Sequence, residues 1–188
     1  MTKALFIVDV QNDFTEGGAL AVEGGDAVAD RITRYLESHA DEYDLIVASR
    51  DWHDPRGDNG GHFHPQPDYI DTWPVHCVSG TDGAEYDPAF DTSRVTHHVK
   101  KGQGIPAYSL YEGTADDGAR VADLMESHGV TEVDVAGLAT DYCVRASALD
   151  AIAHGRRVRI LTDLVAGVAA ETSAAALAEL AGAGAELA

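Results

Sequence analysis

Cys143 follows a short apolar run, residues 132–136, a glycine (Gly137), and then Thr140 and Asp141, residue types that open helices. Backbone N–H groups at a helix start are unpaired and carry partial positive charge, so a thiol placed there is expected to have a lowered pKa. The same N–H groups can receive the oxyanion made when sulfur attacks a carbonyl. An attacking cysteine also needs a base and a cationic neighbour. Asp9, at the end of the apolar run 4–8, is the candidate base, provided burial raises its pKa. Lys100 and Lys101 are the candidate cations, and since successive strand residues point to opposite faces, at most one of them enters the site directly.

A second group follows the run 45–49. In an extended Asp51-Trp52-His53, the carboxylate and the imidazole share a face while Trp52 points away. With His62 and His76 they make a donor set for one divalent ion, Zn²⁺, Fe²⁺ or Mn²⁺, with coordination positions left open to water or substrate. His64 and Cys77 are spare candidates. Phe14, Trp73 and Tyr108 fall on loops around the presumed site. Gly102-x-Gly104-x-x-Ala107 only faintly imitates a dinucleotide fingerprint, because Pro106 interrupts it and no helical pattern follows.

The elements that must position these residues alternate between strand and helix patterns. Strands are expected at 4–8, 45–49, 95–100, 132–136 and 157–161, with a short sixth at 186–188. Helices are expected at 26–40, 116–128, 143–154 and 171–180. Residues 50–94 show no convincing helix or strand yet hold four histidines and five of the six prolines, and so long a loop is usually functional. The pattern is that of an α/β fold: one domain, residues 1–188, a doubly wound six-stranded parallel sheet flanked by helices. In such sheets ligands collect beyond the carboxyl ends of the strands, where Asp9, Asp51, His53, the two lysines and Cys143 all fall.

With 32 acidic and 13 basic residues the net charge is −19, a surface that repels phosphate backbones and anionic membranes. Nucleic-acid and membrane partners are therefore not expected, and a homo-oligomer is left open. The run 4–8 is too short for a signal peptide and meets Asp9, so the chain is expected to be cytoplasmic with reduced thiols.

Taken together, Val8-Asp9-Val-Gln-Asn-Asp-Phe14, Ser49-Arg-Asp51-Trp-His53, Trp73-Pro-Val-His76-Cys, Lys101-Gly102 and Gly137-Leu-Ala-Thr-Asp-Tyr-Cys143-Val resemble the nicotinamidase/pyrazinamidase branch of the isochorismatase-like hydrolases, in the family's order and across essentially the whole chain. The resemblance implies a catalytic triad of Asp9, Lys101 and Cys143, with Lys101 chosen because it precedes the glycine. It implies metal ligands Asp51, His53, His62 and His76, substrate contacts from Phe14, Trp73, Tyr108 and Leu138, and an oxyanion hole from the N–H groups of Ala139 and Cys143. It also implies a cis peptide between Leu138 and Ala139. The 53–62 stretch is longer than the family pattern, so His62 is retained for its spacing to His76, with His64 as substitute. The activity implied is hydrolysis of nicotinamide, with pyrazinamide as a further substrate, through a thioester, a step of pyridine-nucleotide salvage. The alternative is a related amidase acting on an N-carbamoyl or ureido compound.

Overall fold

The computed structural model describes residues 2–188. Strand β1 (Thr2–Val8) is buried on both faces from Ala4 onward, as its unbroken apolar run requires of a central parallel strand. It pairs in parallel with β2 (Leu45–Asp51) on one side and β5 (Val130–Leu138) on the other. Outside β2 lie β3 (His97–Lys101), parallel, and β4 (Thr114–Ala115), antiparallel; outside β5 lie β6 (Arg157–Ala166) and β7 (Glu186–Leu187), both parallel. The order is β4-β3-β2-β1-β5-β6-β7.

The sheet thus has seven strands where six were expected. The extra one, β4, is two residues long, too short to show a periodicity in the sequence. The helices are α1 (Gly25–His39), α2 (Val121–Ser127), α3 (Arg145–Ala153) and α4 (Ala170–Gly182). Helix α2 is shorter than the expected 116–128, because residues 116–119 turn back on β4, with Ala115 N donating to Ala119 O.

Side chains of β1 alternate between two cores. Ala4, Phe6 and Val8 pack with Leu124 and Met125 of α2, Ala148 of α3 and Leu180 of α4. Leu5 and Ile7 pack with Val28, Ile32 and Leu36 of α1. The long connection 52–96 covers part of the α1 face through Tyr86, Phe90 and Val95. Among the described residues no helix is long and apolar enough to cross a membrane.

The sheet reverses direction of growth between β1 and its neighbours β2 and β5, which opens a crevice at their carboxyl ends. Gly137 makes that crevice narrow. It pairs with Val8 at φ +112°, and a Cβ there would sit 2.1 Å from the Val8 carbonyl oxygen, so only glycine lets β5 close on β1 at this level.

Candidate active site and metal centre

Asp9, Asp51, Lys101 and Cys143 leave four adjacent strands at one end of the sheet. Asp9 has φ +48°, a left-handed turn immediately after β1 and uncommon outside glycine, and its carboxylate is fully buried. Ser49 of β2 holds it, donating from Oγ to Oδ1 at 2.7 Å and accepting from the Asp9 N–H at 3.3 Å. Lys101, also fully buried, places Nζ 2.9 Å from Asp9 Oδ2, 3.6 Å from Cys143 Sγ, and in direct ion-pair contact with Asp51 Oδ1. Lys100 points the other way, to Asp116 at 3.1 Å and over the Trp52 ring, as strand alternation requires.

Burial raises the Asp9 carboxyl above its ordinary value, an effect Lys101 only partly offsets. Burial would lower the Lys101 ammonium, but Asp51 and Asp9 hold it well above its usual range, so it is a permanent cation. Burial also pushes the Cys143 thiol well up, more than Lys101 pulls it down. The sequence-based expectation of a lowered thiol pKa is therefore corrected. Cys143 does not sit at the free end of an α-helix but inside a buried π-helical turn, Thr140–Val144, which precedes α3. The thiol is protonated at rest and depends on a neighbouring base. Asp141, expected as part of the helix-start signal, makes no cap on its own turn; its carboxylate is bonded elsewhere.

Beside this group, His53, His62 and His76 converge with ring nitrogens within 4.8 Å of one another, all three buried. Asp51 Oδ2 lies 3.6 Å from His53 Nε2 and 3.7 Å from His76 Nε2. Backbone pairing inside the long loop brings them together. His53 N donates to Cys77 O and Ser79 N to His53 O, which draws His76 alongside; Trp73 N donates to His62 O, which fixes His62 beside Trp73. Asn59 closes the 53–62 stretch, accepting from Asp54 N at 2.8 Å and from Gly104 N at 3.2 Å.

The donor set fits a divalent metal. His53 Nδ1 is engaged with Gly102 O at 2.8 Å and His76 Nδ1 with Pro74 O at 2.7 Å, leaving the Nε2 atoms for a ligand. His53 Nε2 and His62 Nδ1 are buried without hydrogen-bond partners, a cost that a coordinated ion removes. Burial, with the neighbouring His53 and His76, lowers the His62 pKa to about 4, so the ring is neutral and its lone pair is available. Burial pushes the Asp51 carboxyl up, yet Lys101, His53 and His76 hold it well below the usual carboxylate range. His64 is exposed and bonded within its own turn to Gln66, outside the cluster, and Cys77 lies against Gly83 O.

A cavity of about 290 Å³ opens over both groups, and Cys143, Asp51, His62 and His76 share it with Phe14, Trp73, Tyr108 and Ala139. Trp73 is locked by its Nε1–H donating to Tyr108 Oη at 3.0 Å and by the Tyr142 ring edge-on at 4.9 Å. The peptide between Leu138 and Ala139 is cis. The Leu138 side chain does not line the cavity: it is fully buried in the core beneath α1, and Ala139 forms the wall instead. Residues the sequence analysis did not single out are Ser49, Gln11, Tyr69, Tyr142 and Val168. Ser49, Gln11 and Tyr142 lie inside recognised motifs, whereas nothing in the sequence distinguishes Tyr69 or Val168. Gln11, fully buried, clamps the backbone of Asp51, donating to its carbonyl and accepting from its N–H, both at 2.9 Å.

The isochorismatase domain model matches residues 3–188 of the chain. The chain is 50% identical over 185 residues to a nicotinamidase/pyrazinamidase of Mycobacterium tuberculosis, covering 98% of this chain and 97% of that protein. A crystal structure from L. infantum in complex with nicotinate superposes with a TM-score of 0.84 at 36% identity, covering 100% of this chain and 92% of that one. The pyrazinamidase of Pyrococcus horikoshii in complex with zinc gives the same TM-score at 37% identity, covering 100% and 99%.

Proposed function

The chain belongs to the isochorismatase family, and from that membership we propose that it is a metal-dependent cysteine amidohydrolase converting nicotinamide to nicotinate and ammonia, with pyrazinamide as a second substrate. The observation that carries the reading is the buried ammonium of Lys101 touching Asp9, Asp51 and Cys143, the last two of which line one aromatic-walled cavity.

Phe14, Trp73 and Tyr108 enclose a flat heteroaromatic ring and set the carboxamide carbon near Cys143 Sγ. Asp9, its basicity raised by burial, takes the thiol proton as sulfur attacks the carbonyl carbon. The N–H groups of Ala139 and Cys143 receive the oxyanion. Collapse breaks the C–N bond, Asp9 returns its proton to the departing ammonia, and a thioester is left on Cys143. Water then adds to the thioester carbon with Asp9 as base, releasing the carboxylic acid product and restoring the thiol. Lys101 stays charged throughout and holds down the negative charge passing between sulfur and Asp9. Asp51, His53, His62 and His76 would hold the divalent metal, which supplies a fixed Lewis acid for the ring nitrogen of the substrate.

The same reading places the chain in the cytoplasm, where Cys77 and Cys143, both unpaired, stay reduced. Ammonia release from nicotinamide, measured for the parent and for Cys143→Ala, tests the proposal: turnover should vanish in the variant while ring binding persists, and substantial residual hydrolysis would rule out the covalent route.

A further inference from the structure

The reach of Cys143 depends on the turn Thr140–Val144, whose backbone is closed by Tyr142 N and Val144 N donating to Ala139 O at 3.0 and 3.2 Å. Asp141, in the middle of this turn and nine-tenths buried, sends its carboxylate to the entrance of α4. Oδ1 accepts from Val168 N at 3.0 Å; Oδ2 accepts from Ala169 N at 3.3 Å and from Thr172 Oγ1 at 2.5 Å. The N-cap of α4 is Ala169, which has no side chain able to cap, and the Asp141 carboxylate instead ties the nucleophile turn to the backbone just before this thirteen-residue helix and to the hydroxyl of Thr172 in its first turn. The junction is tight: a Cβ at Gly167 would lie 1.8 Å from Ser173 Oγ and 3.1 Å from Asp141 Oδ1. Val168, held by the same carboxylate, also lines the cavity.

We propose that Asp141 is a positioning residue for the hydrolysis: its carboxylate clamps the nucleophile turn to the start of α4, which keeps Cys143 Sγ within reach of Lys101 and holds Val168 in the cavity lining. The inference rests on Cys143 being the nucleophile. A carboxylate bonded to two backbone N–H groups and a hydroxyl can shift only if all three bonds go, so the turn inherits the rigidity of the helix. Its loss frees the turn and loosens the Tyr142 ring packed on Trp73 and Tyr108, but those two stay tied to each other by Trp73 Nε1–H donating to Tyr108 Oη, and Phe14 is held by another loop. The signature is thus a fall in kcat with little change in KM.

The test uses full-length, metal-loaded enzyme and the variants Asp141→Asn, Thr172→Val and, as control, Glu171→Gln, which weakens the first turn of α4 without touching Asp141. For each, kcat and KM for nicotinamide and the rate of Cys143 alkylation by iodoacetamide, followed at that residue by mass spectrometry, are measured well below the melting temperature. Asp141→Asn should lose at least tenfold in kcat with KM within threefold, and its alkylation rate should change by at least threefold. Thr172→Val should move the same way by a smaller factor, and Glu171→Gln should keep its kcat even if it melts earlier. A kcat for Asp141→Asn within twofold of the parent, or a parallel kcat loss in Glu171→Gln, overturns the proposal. If Asp141→Asn does not fold, an unchanged kcat in Thr172→Val does so. Activity surviving in Cys143→Ala would instead sink the nucleophile assignment, and the alkylation rates would still report the clamp.

Discussion

Replacing Lys101 with methionine removes a charge from the most buried ionic cluster in the protein while keeping much of the side-chain volume. Nζ lies 2.9 Å from Asp9 Oδ2, and at an effective dielectric of about 20 that contact alone is worth roughly 6 kcal/mol before desolvation. Asp9 and Lys101 are fully buried and the Asp51 side chain is 3% exposed, so little solvent screening applies. Removing one partner of a buried pair costs about 3–5 kcal/mol, because the other charge stays behind without compensation. At about 2–4 °C per kcal/mol for a chain of this size, the melting temperature should fall by roughly 6–20 °C. The deficit should depend on pH. Without the ammonium, Asp9 is an acid held by burial still further above the unfolded value of about 3.9, while His53 and His76 continue to hold Asp51 down. An acid raised in this way favours the fold below the unfolded pKa and loses that contribution as pH rises through the folded pKa. The gap between variant and parent should therefore be largest near pH 8 and narrow toward pH 4.5. Calorimetry of both metal-stripped proteins across that range is the assay. A gap below about 1 kcal/mol at pH 8, or one of equal size at both ends, would refute this account of the cluster.

Two further outcomes follow from contacts at and away from the site. Gly102 has φ +84°, and a Cβ there would press within 2.7 Å of His53 Cε1, so Gly102→Ala should displace the ring that Gly102 O orients and weaken metal binding by about 10–100-fold in a chelator competition. Asp134, buried far from Cys143, accepts from Tyr43 Oη at 2.6 Å, pairs with Lys3 at 2.8 Å and takes two bonds from Arg159. Because Arg159 keeps about a third of its side chain in water, Asp134→Asn should cost about 2–3 kcal/mol and leave kcat unchanged. Burial raises the Asp134 carboxyl, but Arg159, Lys3 and Tyr43 lower it further below its ordinary value. Its stabilisation is present above about pH 4 and lost as pH falls through the folded pKa, so urea melts of variant and parent should converge in acid.

Much of the site was legible because its residues sit at strand ends. An unbroken apolar run that stops at Asp9, a second that stops before Asp51, and a lysine pair after a third identify the carboxyl edge of a parallel sheet before any coordinates are known. Alternation lets only one of Lys100 and Lys101 enter, the family resemblance chose Lys101 because it precedes Gly102, and in the structure Lys101 meets Asp9 while Lys100 turns to Asp116. The 52–96 connection was readable only as a histidine-rich loop. Which imidazoles converge depends on the pairing of His53 with the 77–79 segment and of His62 with Trp73, contacts between residues that no local period relates. His62 and His64, two residues apart, are separated by that pairing into a buried group and an exposed one.

The amino-acid sequence by itself determined the order of the helices and of every strand but the two-residue β4, the residues at the strand ends and the kinds of chemistry they can support, because periodicity and residue type are local properties. Tertiary structure alone decided the protonation of that chemistry and its bracing. Burial turned the expected thiolate into a thiol that needs Asp9, and close packing turned Asp141 away from its own turn to the backbone just before α4. Leu138 went into the core while Ala139 took its place in the wall. Each of these is set by desolvation or by contact across the fold, quantities that no window along the chain contains.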